Sequence, residues 1–308
     1  MAGSVRGVRR YRWRDIPAEL RDDVEQHLGS VVTSVREPEA GRTSDLAAVL
    51  VTSAGSAFVK GVRQDNIRTL RTLRAELRTN RHLPRSAPRI RWQAENPEWV
   101  LVGYEFVAGR HARFEPGSPD LQPMITLLTE TTTHTPRRLD VFENYADRWA
   151  RVSPWHTLAR TRPDHLAPWD LEHLEAFAVE ERNVVDALAA GRTIVHSDVH
   201  QLNTLVVGGR ARLVDWAWSS RGPAWVDPAF FAVRLVGAGH TPGEAEDWAR
   251  QIPAWREADS ADLDAFSISV LGMWLLRNRF PELVDAARRY TGYRLLSRRP
   301  PAKPSYRR

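Results

Sequence analysis

The sequence predicts an α+β chain: a small antiparallel β-rich N-terminal lobe, then a larger, mainly helical C-terminal lobe. Three observations predict it. Short apolar runs with strand-like patterning fill Val31–Val107. From about Gly109 apolar residues recur mainly at helical spacing. Two short strands, Thr204–Val207 and Ala211–Val214, interrupt that helical stretch, and Gly208-Gly209 between them is a hairpin signal.

The elements follow in order. Asp15–Gly29 reads as a first helix, with Asp15 as its cap, Pro17 in its first turn and Gly29 as its stop. Val31–Arg36, Leu46–Thr52 and Ala57–Val62 read as strands, separated by a loop holding Gly41 and by the turn Ser53–Ser56. In Asn66–Leu83, Ile67, Leu70, Leu73 and Leu77 mark one helix face, and Pro84 lies beyond its end. Arg89–Trp92 and Trp99–Val107 are two further strands. The later helical segments are Leu121–Thr132, Val141–Arg151, Leu171–Ala190, Pro228–Ala238, Glu244–Gln251 and Leu263–Asn278.

The 308 residues have an ordinary globular composition and no cysteine, which excludes disulfides, Cys-ligated zinc and a thiol nucleophile. Leu46–Val51 and Val270–Leu276, the longest apolar runs, fall far short of the ~20 residues that span a bilayer. Met1–Asp15 has arginines but no apolar core, unlike a secretory signal. The expectation is a soluble cytoplasmic protein. Charge is unevenly placed. Met1–Arg14 and Arg294–Arg308 hold 11 of the 44 cations and no acid, leaving 33 cations against 38 acids between them. The basic ends read as solvated tails, and no basic-aromatic pattern inside the chain suggests a nucleic-acid partner. Only two cations are lysines, Lys60 and Lys303. Arginine does not reproduce a compact ammonium on a flexible stem, so Lys60 stands out.

Chemistry concentrates in Val195–Trp216. Asp198 is followed by Asn203 and, beyond the hairpin, by Asp215. Phosphoryl transfer from ATP needs a carboxylate to position the attacking hydroxyl and oxygen ligands to hold Mg²⁺ on the phosphates. Asn203 and Asp215 flank the hairpin, which can bring them together.

His196-x-Asp198-x-x-x-x-Asn203 followed by Asp215 resembles the catalytic and metal motifs of aminoglycoside phosphotransferases and related choline-kinase-like enzymes. These are small-molecule kinases of bilobal protein-kinase-like fold. The resemblance implies Asp198 as catalytic base, Asn203 and Asp215 as Mg²⁺ ligands, and His196 as a brace for the loop. Lys60 resembles the family's phosphate-binding strand lysine, and Glu76 its helix partner. Tyr104–Gly109 resembles the hinge, where the backbone near Glu105 and Val107 would bind adenine. Gly41-Arg42-Thr43-Ser44 stands where a glycine loop is expected. The implied organisation is a nucleotide-binding lobe over 1–101, a hinge over 102–109, a helical lobe with the acceptor site over 110–293, and a basic, disordered tail over 294–308. ATP, Mg²⁺ and a small hydroxyl-bearing acceptor are the expected partners. There are departures. Ser197 replaces a usual Gly, and Phe231, in Asp227-Pro228-Ala229-Phe230-Phe231, replaces an Asp expected to help support the catalytic loop.

Other readings compete. Asp198 and Asn203 alone would suit a turn in which both bond their own backbone. Glu76 fits a solvated helix face nearly as well as a salt bridge to Lys60. His196-x-Asp198-x-His200 also fits a zinc hydrolase, since alternate strand residues share a face. A catalytically inactive nucleotide-binding module is the third class. For the acceptor, Gly243–Asp264 carries seven acids against Arg250 and Arg256. It reads either as a solvated helix face or as an acidic wall for a cationic acceptor such as an aminoglycoside.

Overall fold

A computed structural model describes residues 11–38 and 44–297. The chain divides into two compact units. The first runs through His111 and takes in Leu202–Gly208 and Arg212–Trp218; the second holds Ala112–Gln201, Gly209–Ala211 and the chain from Ser219.

The first unit is built on α1 (Ala18–Leu28), β1 (Val32–Arg36), β2 (Leu46–Thr52), β3 (Gly55–Arg63), α2 (Ile67–Thr79), β4 (Ile90–Glu95) and β5 (Trp99–Glu105). The strands form one antiparallel sheet in the order β1-β2-β3-β5-β4. Its inner strands are apolar on both faces because each face is covered. Trp13, Ile16, Leu20 and Val24 pack with Leu46, Leu50, Val59, Trp99 and Leu101. On the opposite face Leu70 and Leu73 pack with Val62, Val100, Val102 and Tyr104. Lys60 lies two residues from Val62, so strand alternation turns it toward the α2 side. The first helix starts later than its sequence signals predict. Residues Trp13–Asp15 form a short 3₁₀ turn, and the Asp15 carboxylate accepts from Arg12 N at 2.8 Å instead of capping α1. Gly29 ends α1 in the left-handed region, with φ 66°.

A short β6 (Arg110–His111) pairs with β8 (Thr204–Val207), which continues through Gly208-Gly209 into β9 (Arg210–Leu213). Both glycines have positive φ, 54° and 76°, as the predicted two-residue turn requires.

The second unit contains α3 (Leu121–Thr132), α4 (Tyr145–Val152), α5 (Pro154–Thr161), α6 (Pro168–Ala189), β7 (Thr193–Val195), β10 (Ser220–Gly222), α7 (Val226–Gly237), α8 (Pro242–Ala249), α9 (Pro253–Arg256), α10 (Ser260–Arg277) and α11 (Pro281–Ser297). β7 pairs antiparallel with β10. Helix α10 is apolar almost all round and packs against α5, α6 and α11, as a fully buried helix does. Phe266 at its centre meets Trp149, Trp225 and Phe230. Residues Arg294–Ser297, assigned from sequence to a basic tail, are the last turn of α11. Arg294 is buried there and binds Asp264 and Glu246, which explains its ordering. The remainder of that predicted tail lies outside the described residues, as does Gly41.

Candidate active site

In the first unit, three residues far apart in sequence converge. Lys60 Nζ on β3 lies 3.2 and 3.1 Å from the two Glu76 carboxylate oxygens on α2, and 2.7 Å from Asp215 Oδ1 beyond β9. The ammonium also sits 5.1 Å from the centre of the Tyr104 ring. Lys60 and Glu76 are buried, so Glu76 is no solvated face residue. Burial works against the Lys60 charge, but Asp215 and Glu76 outweigh it and raise its pKa, keeping the ammonium protonated. Burial pushes the Glu76 carboxyl up, against the pull of Lys60.

The hairpin brings the backbone of Asn203 to Val214, the residue before Asp215. Val214 N donates to Asn203 O at 2.8 Å, closing the strand ends on each other. Asp215 has φ 61°, a left-handed conformation that costs a non-glycine residue about 1–2 kcal/mol. An amide oxygen and a carboxylate are hard donors that suit Mg²⁺, whose other positions water and phosphate ordinarily fill. Glu105 ends β5, its carboxylate 2.6 Å from Arg212 Nη1. That hydrogen bond holds its pKa below the usual range. The Glu105 N–H donates to Arg89 O, and the buried Val107 accepts from Gly109 N through its carbonyl.

In the second unit, Asp198 follows β7. The Asp227 carboxylate at the start of α7 accepts from His196 N at 2.7 Å and Ser197 N at 2.8 Å. Asp227 thus braces the loop without the second Asp whose place Phe231 takes; Phe231 packs edge-on against Phe114 instead. Ser197 has φ 62°, the conformation its usual Gly replacement would take without strain. His196 is wholly buried, and its Nδ1 accepts from Asp198 N at 3.3 Å. That bond ties the His196 ring to the loop that carries Asp198. Among the described residues no group of three or more His, Asp or Glu side chains is arranged to hold a metal ion.

Asp198 itself is partly exposed, with His200 Nε2 at 3.5 Å and Arg234 Nη2 at 3.9 Å. Burial alone would raise its pKa, but the His200 hydrogen bond and the charges of His200, His196 and Arg234 lower it below the ordinary carboxylate value. Arg148 Nη1 lies 3.2 Å from Ser197 Oγ on the same loop, and neither Arg148 nor Arg234 was singled out from the sequence. The one signal was the break that Arg234 makes in the apolar run Pro228–Ala238.

The predicted acidic wall is mostly consumed internally. Glu246 and Asp264 are buried against Arg294, and Arg250 holds Glu246 and Asp247. The Glu244 and Asp259 carboxylates accept helix-terminal N–H groups.

No family model matches the chain, and no curated protein sequence matches it. Solved structures match over nearly its whole length. Aminoglycoside phosphotransferase APH(4)-Ia is 13% identical with a TM-score of 0.60, covering 91% of this chain and 98% of that one. The aminoglycoside phosphotransferase of Alicyclobacillus acidocaldarius is 17% identical with a TM-score of 0.56, covering 92% and 93%. ADP-bound APH(2'')-Ib is 14% identical with a TM-score of 0.54, covering 90% and 97%. The chain has the protein-kinase-like fold of the aminoglycoside phosphotransferases, an antiparallel five-stranded sheet followed by a largely helical part.

Proposed function

We propose that the chain is a phosphotransferase that moves the γ-phosphoryl group of ATP to a hydroxyl of a small molecule. The observation that carries this is the ion-paired set Lys60, Glu76 and Asp215, drawn together from three separate elements within a fold shared with aminoglycoside phosphotransferases. A thermostable mutant of APH(4)-Ia forms a ternary complex with ADP and hygromycin B, which supports nucleotide use by this fold.

In this reading Lys60 binds phosphate oxygens, held in place by Glu76. Asn203 and Asp215 would hold Mg²⁺, which supplies neutralisation of charge on the phosphates. Asp198 orients the acceptor hydroxyl and takes its proton as the acceptor oxygen bonds to the γ-phosphorus and the bond to ADP breaks. His196 and Asp227 keep Asp198 in position. Most of the acceleration comes from positioning and electrostatics. Among the described residues no helix is long and apolar enough to cross a membrane.

The test is a pair of variants assayed for ADP release and for Mg²⁺-dependent nucleotide binding. Asp198→Ala is expected to abolish transfer and leave nucleotide binding intact. Asp215→Ala is expected to weaken both. Near-normal turnover in Asp198→Ala would refute the assignment, and wild-type binding without turnover on any acceptor would favour an inactive module.

A further inference from the structure

The surroundings of Asp198 are cationic, opposite to what a polycationic acceptor would need. Arg234 projects from α7, a helix otherwise composed almost wholly of buried apolar residues. Its side chain is 15% exposed. Its buried Nε has no hydrogen-bond partner. The guanidinium lies over the Trp274 ring, 5.1 Å from its centre. At 3.9 Å from Asp198 Oδ1 it is within ion-pair range but beyond hydrogen-bond length. Burial pulls its pKa down, so its charge is kept there at a cost.

A second guanidinium stands beside the same loop. Arg148 Nη1 lies 3.2 Å from Ser197 Oγ, adjacent in sequence to Asp198. Arg277 adds positive field at both Asp198 and Arg148. Opposing acids are Glu143, 3.6 Å from Arg148, Glu282, which acts on Arg234, and the buried Asp227, whose carboxylate accepts from His196 N and Ser197 N and repels the Asp198 charge. A base flanked by cations is a weaker proton acceptor. A bound anion would screen those cations and return basicity to Asp198.

We infer that the acceptor carries an anionic group, a carboxylate or a phosphate, near the hydroxyl that is phosphorylated, and that Arg234, with Arg148, is the pair that binds it. A buried guanidinium short of hydrogen bonds offers the planar fork that such oxyanions match. The inference rests on the phosphotransferase reading and narrows its substrate class. Of the seven acids in Gly243–Asp264 that would favour a cation instead, Glu246, Asp247 and Asp264 are tied to Arg250 and Arg294, and Glu244 and Asp259 accept helix-terminal N–H groups.

The test uses the full chain with Mg²⁺ and ATP, and small acceptors matched in skeleton but differing in charge, with an aminoglycoside as a polycationic comparison. These are glycerate and 4-hydroxybutyrate, their neutral amides, glycerol 3-phosphate, glycerol, and the cations 4-amino-1-butanol and hygromycin B. ADP release reports turnover, and a fluorescent ATP analogue reports nucleotide binding separately. The anions are expected to have a kcat/KM about thirtyfold or more above their neutral partners, equivalent to ~2 kcal/mol of charge recognition. Arg234→Met should remove that preference by raising KM for the anions, and Arg234→Lys should restore part of it. Arg148→Gln should weaken it as well, which covers the case of an Arg234 variant that fails to fold. Comparison of the carboxylates with glycerol 3-phosphate tells the two oxyanions apart. Preference for neutral or cationic acceptors overturns the inference and leaves the phosphotransferase reading standing. An equal fall in kcat on every acceptor in the Arg234 variants also overturns it, because Arg234 would then act only by positioning Asp198. Absence of both Mg²⁺-dependent nucleotide binding and ADP release overturns the phosphotransferase reading along with it.

Discussion

Replacing Asp227 by Asn keeps the shape of the side chain and removes its charge. In the wild type both carboxylate oxygens accept from the loop, at 2.7 and 2.8 Å, and the side chain is 2% exposed. Asn keeps one acceptor and turns an NH₂ group toward the other backbone N–H. A hydrogen bond to a charged group contributes about 1.5–3 kcal/mol, and a buried N–H left unmet costs about 1–3 kcal/mol more. Burial already raises the Asp227 pKa, so desolvation offsets part of that gain. A net loss of about 2–3 kcal/mol follows. Thermal denaturation should show a Tm lower by ~4–12 °C, at about 2–4 °C per kcal/mol for a domain of this size. The loop also holds Ser197 at φ 62°, so its release should let Asp198 drift and reduce kcat at least tenfold (~1.4 kcal/mol). Nucleotide affinity should hold, since Lys60 and Asp215 belong to the other unit. An unchanged Tm with kcat within twofold of wild type would refute the bracing role.

Lys60→Met leaves Glu76 and Asp215 without their shared cation. A loss of about 3–5 kcal/mol is expected in urea denaturation, nearer the lower end because Asp215 stays partly hydrated, and adding Glu76→Leu should recover stability but not nucleotide affinity. The pKa of Lys60 is raised on folding, so its stabilising contribution is complete below the unfolded value of 10.5 and disappears only as pH rises through the folded one. Melting curves should therefore show it intact at neutral pH and lost in strong alkali. Asp198 has the opposite sign: its lowered pKa places the acid limb of kcat/KM below the ordinary carboxylate range, and His200→Gln should move that limb upward in a pH–rate profile. Gly191→Ala should be severely destabilising, by ~3 kcal/mol or more, because its Cβ would lie 1.9 Å from the Gly222 carbonyl carbon. Soluble yield and Tm measure it.

The sheet was legible because its strands obey local rules. Leu46–Thr52 and the hairpin at Gly208-Gly209 appear where apolar patterning and turn chemistry put them. Helix α3 matches its periodicity residue for residue. Glu76 was ambiguous because a carboxylate beside the Leu73/Leu77 stripe can face either way, and only Lys60 on the facing strand β3 decides it. Helices α5 and α11 left no comparable trace. In α11 the helix is fixed by Arg288 on Asp170 and Arg294 on Asp264, ion pairs spanning 118 and 30 residues, which no local window reveals. Arg234 was hidden in the same way, since its partners Asp198 and Trp274 come from distant segments.

Lys60 shares the whole sequence with just one other lysine, at 303. An acylating reagent would therefore find a single interior ε-amine, protonated and clasped by two carboxylates. Its attachment there would have to wait for that clasp to part, so the rate of labelling at this position would serve as a clock for local opening of the β3–α2 region.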